Sequence, residues 1–260
     1  MKRGFYTIMA AQFFSSLADN ALFVTAVELL KSGGAPEWQR AALVPMFALF
    51  YVVLAPFVGA FADSRPKGQV MLISNGIKVV GCLMMLFGSH PLMAYAIVGL
   101  GAAAYSPAKY GILTELLPHD KLVEANGWIE GLTVLSIILG TVVGGFLIAP
   151  KTGEWLLSLN FPGFDHWMNT PAEAAILVIT TGYVIAAVFN LRIPDTGARY
   201  EPQLNHPVLM IRSFYGCVKS LWSDKLGQVS LAVTTLFWGA GATLQFMLLK
   251  WSEMALGMSL

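Results

Sequence analysis

The stretch FYTIMAAQFFSSLADNALFVTAVELL, Phe5–Leu30, decides how the chain is read. At about 1.5 Å per residue it makes a helix of about 39 Å, long enough to cross a bilayer with some tilt. Asp19 and Asn20 fall near its middle. A carboxylate at that depth costs about 2.5–3.5 kcal/mol, so Asp19 is expected to face protein or a water-filled cavity. Gln12, Ser16, Asp19 and Phe23 recur at spacings of 4, 3 and 4, and therefore share one helix face. Either that acid serves function, or it forms a helix–helix hydrogen bond that only holds a bundle together.

The rest of the chain has the same character. Of 260 residues, 56% are hydrophobic and 12% charged, with mean hydropathy +0.65. Soluble domains carry about 25% charged residues. The expected class is an all-α integral membrane protein. Cys82 lies in an apolar run and Cys217 in a basic segment, which argues against a disulfide. His90, His119, His166 and His206 lack metal-ligand spacing, so no metal is expected. No nucleotide-binding or hydrolase motif occurs, so no catalytic residue, cofactor or nucleic-acid partner is expected. Met1-Lys2-Arg3 followed by Ser16-Leu17-Ala18 imitates a cleavable leader. Apolar sequence resumes at Ala21, however, and further runs follow, so the first run is read as a retained span.

Five more runs precede residue 192. The second, Ala41–Ala62, contains Pro45 and Pro56, which membrane helices tolerate when neighbours satisfy the freed carbonyls. The polar turn Asp63-Ser64-Arg65-Pro66-Lys67-Gly68 leads to the third, Val70–Gly88, where Asn75, Lys78 and Cys82 share a face. The fourth, Pro91–Leu113, carries small residues for close helix contact. It also carries Pro107, expected to kink or loosen its end, and Tyr105 and Lys109 one turn apart. Lys109 either snorkels to the interface or faces a cavity. The fifth, Leu122–Ala149, aligns Asn126, Glu130 and Thr133, then Gly140 and Gly144 in a GxxxG spacing. Pro150–Thr170 reads as a loop on the membrane surface, and Ala172–Leu191 as the sixth run.

Arg192–Gly227 is basic, with an amphipathic part over Val208–Trp222 that reads as a helix at the interface. A seventh run, Gln228–Trp251, follows. The expected units are a six-helix bundle over 1–191, a linker over 192–227, and the first helix of a second bundle over 228–260. Eleven of the 16 Lys and Arg residues fall on one side of this topology and four on the other, with Lys78 mid-span. That asymmetry predicts a cytoplasmic N-terminus, Asp63–Gly68 turn and linker.

Six helices, a long linker and a seventh helix resemble the opening of a two-times-six transporter. Gly59-x-x-x-Asp63 with Arg65, Lys67 and Gly68 resembles the signature loop of the major facilitator superfamily, GxxxDRxGR, with Ser64 after the Asp and the basic residues shifted. There the Asp would latch one conformation. The blocks AQFFSSLADNAL, ADSRPKGQVM, NGIK, GAAAYSPAKYGIL, KLVEANGWIE and LFWGAGATLQF resemble, in order, the bacterial lysophospholipid transporter family. Members of that family resemble one another over about twelve spans, so the chain looks like the first half plus a seventh helix.

The resemblance implies inward movement of lysophosphatidylethanolamine and related lysolipids across the bacterial inner membrane, without ATP. It also implies a partner, the acyltransferase–acyl carrier protein synthetase that re-acylates the lipid at the cytoplasmic face. The residues suit such a substrate. Asp19 offers an anion, Lys78 and Lys109 offer cations, and Asn20, Asn75, Tyr105, Asn126, Glu130 and Gln245 offer hydrogen bonds. Asp19, Lys78 and Lys109 are expected to line one cavity. The alternative is that Asp19–Lys78 and Glu130–Lys109 are structural pairs. Two other readings stay open: a proton-coupled drug or sugar transporter, and the membrane anchor of a fused acyltransferase.

Overall fold

The computed structural model describes residues 3–159, 167–198, 200 and 206–256. The described residues are almost entirely helical. They fall into two units, Met1–Gln203 and Leu204–Leu260.

In the first unit the polar turns end each apolar run, as expected. Helix α1 is Arg3–Ser32, α4 is Lys67–Leu86, α5 is Pro91–Leu116, α6 is Leu122–Ile148 and α8 is Pro171–Leu191. All five are long and apolar enough to cross a membrane. The second run differs from expectation. It breaks at Leu54 into α2, Glu37–Val53, and α3, Ala55–Asp63, with a bend of 64°. Pro56 explains the break, because it cannot donate to the Val52 carbonyl and its ring crowds that carbonyl. Counted as one bent span, the pair makes six. Pro45 and Pro107, by contrast, lie inside continuous helices.

The segment expected to be a surface loop contains helix α7, Pro150–Ser158. Pro150 opens it at a position where a missing N–H costs nothing, and Gly153 and Leu156 are buried against α8. Helix α8 itself begins on a capping box: Thr170 N–H donates to Glu173 Oε2 at 2.8 Å, and Glu173 N–H to Thr170 Oγ1 at 3.3 Å.

Helix α1 lies against α6 and α8, while α4 lies against α5 and α8. Their buried apolar residues form two clusters. One contains Leu22, Ala26, Cys82, Leu86, Tyr95, Val98 and Ile176. The other contains Phe5, Ile8, Met71, Tyr105, Ile112 and Ile129. Along α1 and α4 the buried residues between the clusters are mostly polar: Gln12 and Ser15 on α1, and Ser74, Asn75 and Lys78 on α4.

The second unit contains α9, Pro207–Ser223, and α10, Lys225–Leu256. The expected seventh run lies within α10. Asp224 joins the two and caps α10, accepting from Gly227 N–H at 2.8 Å.

The GxxxG spacing of α6 has a direct structural role. A Cβ on Gly140 would stand 2.5 Å from the Leu17 carbonyl oxygen, and one on Gly144 would stand 2.7 Å from that of Ala21. Gly145, one residue on, has nothing within 4 Å of the same position. Gly140→Ala and Gly144→Ala are each expected to destabilise the detergent-solubilised protein by about 1–3 kcal/mol through overpacking. Gly145→Ala should leave the thermal midpoint unchanged. Equal midpoints for all three would refute the close α1–α6 contact.

Candidate functional site

Burying a lysine mid-helix requires a partner charge and hydrogen bonds for the remaining donors. Lys78 on α4 has both. Its Nζ lies 2.7 Å from Asp19 Oδ2 on α1 and 3.0 Å from Ser15 Oγ, one helical turn earlier on α1. Ser15 in turn donates to Asn75 Oδ1 at 2.8 Å. The second Asp19 oxygen accepts the Tyr183 hydroxyl of α8 at 2.7 Å. The rings of Tyr105 and Tyr183 stand 5.3 and 5.5 Å from Nζ, within cation–π reach. The Lys78 side chain is 2% exposed and that of Asp19 18%, so the acid is the accessible end of the pair. Among the described residues, two buried donors here have no protein partner, Asn75 Nδ2 and the Tyr105 hydroxyl.

The structure therefore brings together Asp19, Asn75, Lys78 and Tyr105 of the residues singled out in the sequence. Others lie apart. Asn20 donates to the Ser16 carbonyl of its own helix at 2.8 Å. Glu130 accepts the Tyr110 hydroxyl at 2.8 Å, and Lys109 Nζ lies 4.5 Å from the Tyr110 ring. Asn126 is exposed on α6. The side chain of Gln245 lies outside the described residues. Two grooves, of about 350 Å³ on α6 and about 230 Å³ between the start of α4 and the end of α8, include none of Asp19, Lys78 and Lys109. Sequence reading missed Ser15 and Tyr183. Ser15 was legible one turn before Asp19, and Tyr183 carried no signal beyond being a tyrosine in an apolar run. Gln12 turns to α6 instead, donating to Thr133 Oγ1 at 2.6 Å and to the Ile129 carbonyl at 3.2 Å.

A second charged cluster closes the Asp63 end of the bundle. Lys67 Nζ lies 2.5 Å from Asp63 Oδ1, 3.0 Å from the Ala62 carbonyl oxygen and 3.7 Å from Glu115 Oε1. Glu115, on α5, also accepts from Thr196 Oγ1 at 2.5 Å and from the Tyr200 hydroxyl at 2.7 Å. The Tyr200 ring lies 4.5 Å from Lys67 Nζ. Donation to Glu115 pushes the Tyr200 hydroxyl up to about 12, so it is a neutral donor at physiological pH. Of the other residues proposed for this loop, Gly68 fits tightly, with a Cβ position 3.1 Å from Ile193. Gly59 has nothing within 4 Å, and Arg65 is exposed, 6.0 Å from the Phe61 ring.

An all-helical bundle with a charge pair inside its membrane-length helices defines a multi-pass membrane protein with a buried polar centre. The sequence model of the Major Facilitator Superfamily matches residues 8–260, and the chain belongs to that superfamily. It is 42% identical over 259 residues to the lysophospholipid transporter LplT of Yersinia enterocolitica serotype O:8 / biotype 1B. The same identity over the same length holds for LplT of Yersinia pestis (strain Pestoides F) and of Yersinia pseudotuberculosis serotype O:3 (strain YPIII). Each alignment covers 100% of this chain and 59% of the relative. The chain thus spans less than two thirds of the length of these relatives.

Two outcomes follow from the geometry. Asp19→Asn and Lys78→Met each leave one uncompensated buried charge, and each should cost about 3–5 kcal/mol. The double substitution should cost less than the sum by at least about 1 kcal/mol, read from thermal unfolding in detergent. Strict additivity would show the two groups to be uncoupled. At the other end, Tyr200→Phe and Glu115→Gln should each speed tryptic cleavage after Arg192 several-fold, because the segment loses its anchor. Unchanged cleavage rates would show that Glu115 does not hold it.

Proposed function

We propose that the chain forms the lysolipid-handling part of a transporter that moves lysophosphatidylethanolamine and related lysophospholipids inward across a bacterial inner membrane. The observation that carries this reading is the Asp19–Lys78 pair, in a chain alike along its whole length to proteins named as lysophospholipid transporters. The basic-residue asymmetry supports a cytoplasmic N-terminus and a cytoplasmic Asp63 end. On this reading residues 1–191 are the first bundle, 192–227 the linker, and 228–260 a seventh span within α10 that opens a second bundle. Re-acylation by an acyltransferase–acyl carrier protein synthetase would consume the delivered lipid at the cytoplasmic face.

A zwitterionic headgroup suits the pair because it carries both signs. Its ammonium replaces Lys78 at Asp19, and its phosphate takes Lys78. Asn75 Nδ2 and the Tyr105 hydroxyl are donors without protein partners, ready for phosphate oxygens. Lys109, Asn126 and Glu130 border the path, and Asn20 flanks Asp19. Rocking of one bundle against another exposes the pair alternately to each side. Gly59, Asp63, Arg65, Lys67 and Gly68 form the latch, with Lys67 held by Asp63 and Glu115 as its centre.

The test is uptake of two lysolipids into proteoliposomes holding the protein as its gene encodes it, normalised to folded protein. Asp19→Asn should reduce uptake of lysophosphatidylethanolamine more than of lysophosphatidylglycerol, by about tenfold or more, because only the former loses a charge partner. Lys78→Ala should reduce both. Equal losses for both lipids in Asp19→Asn would overturn the ammonium assignment, and no uptake of either lipid by the unaltered protein would overturn the substrate.

A further inference from the structure

Helix α9 has no role in the site, yet its sequence is strongly organised. Ile211, Phe214, Tyr215, Val218 and Trp222 recur every three or four residues and form one apolar stripe. Ser213, Gly216, Ser220 and Ser223 occupy the opposite face. Arg212 and Lys219, seven residues apart, stand together on one border of the stripe, next to Tyr215 and Trp222. Between Pro207 and Ser223 there is no acidic residue. The large apolar side chains are exposed: Ile211 at 49%, Tyr215 at 66% and Trp222 at 60%.

An exposed stripe of this size needs an occupant. Three observations select it. The border charges are all positive, so the occupant presents anions. The border aromatics have amphipathic rings, the type that settles at the headgroup level of a bilayer. The end of α9 is also tied to the start of α10. Gln228 Nε2 donates to the Trp222 carbonyl at 2.7 Å, and Gly227 is buried against Leu221.

We propose that α9 is a docking surface for anionic lipid headgroups. It lies in the bilayer surface with the Ile211–Trp222 stripe among the acyl chains and Arg212 and Lys219 on headgroup phosphates. Each such basic residue adds about a fivefold preference for an anionic surface.

These 260 residues carry a convenient reporter. Cys217 is exposed on α9 and Cys82 is buried, so a polarity-sensitive thiol dye reacts at Cys217, with single labelling checked by mass. The labelled chain is reconstituted into vesicles of phosphatidylcholine alone, or with roughly one third phosphatidylglycerol. The expected result is blue-shifted emission in the anionic vesicles that reverts at high salt. Arg212→Gln with Lys219→Gln should lower the docked-to-free ratio in anionic vesicles by about 25-fold. The salt arm needs no variant, so a folding defect in the double substitution does not leave the question open. Emission that is equally blue-shifted in both vesicles and insensitive to salt would overturn the headgroup role. Water-like emission in both would overturn docking to lipid altogether and leave a protein as the occupant of the stripe.

Discussion

The rest of the bundle is built round one ion pair, Asp19 with Lys78. Two charges taken out of water are tolerated only if their geometry is good and their spare hydrogen-bonding capacity is used. Here Asp19 receives one donor on each oxygen, from α4 and from α8, and Lys78 bonds back to α1 through Ser15. Helices α1, α4 and α8 are thereby locked in one register. The apolar core accommodates this by dividing. Its two clusters lie on either side of a polar layer, so neither has to bury an unpaired charge. Helix α5 covers the layer closely: a Cβ on Gly101 would stand 2.7 Å from Lys78 Cγ and 2.6 Å from the Ser74 carbonyl oxygen. A smaller side chain than alanine is needed there, and glycine is the only one.

The same logic recurs three turns away. Lys67 and Lys78 are eleven residues apart on α4, which places them on one stripe of that helix. Both are buried, at 4% and 1% exposure. Each takes a carboxylate from another helix, and Lys67 lies against one tyrosine ring and Lys78 against two. Helix α4 therefore serves as the cationic spine of the bundle, and the acids of α1, α3 and α5 are arranged to meet it.

Only the Lys78 half of this spine was legible in the sequence, because a charged or polar group in an apolar run is conspicuous, whereas Lys67 read as part of a polar turn. Asp19, Asn75 and Lys78 stood out for that reason, and so did the helices that carry them. What was not legible depends on contacts between distant segments. Nothing local marks Tyr183 as the second donor to Asp19, 164 residues away. Nor does anything mark Thr196 and Tyr200 as donors to Glu115, because their segment is neither apolar nor periodic. The choice among three prolines was also hidden. Pro56 breaks a helix while Pro45 and Pro107 do not, since the outcome rests on whether neighbours support the weakened turn. Likewise the sequence reading put Ser16 beside Asp19, whereas Ser15, four residues before Asp19, is the serine that meets Lys78, and only the direction in which α4 lies decides between them.

The two lysines differ in one respect that bears on how such a bundle works. Lys67 has two carboxylates, a carbonyl oxygen and a ring, and its nearer partner Asp63 is supplied by the adjoining helix α3. Losing any one contact leaves it neutralised. Lys78 has a single carboxylate, and that carboxylate is the more accessible partner. If Asp19 turned to another cation, Lys78 would keep Ser15 and two tyrosine rings, enough to hold it in place but not to neutralise it. An anion arriving together with that cation would complete the exchange without leaving a bare charge in the membrane. A neutral or singly charged solute would not. On the lysolipid reading proposed above, the mid-bundle pair is the one that exchanges partners with a ligand bearing both signs, whereas the Asp63 cluster, with two carboxylates on Lys67, is the latch that holds one conformation.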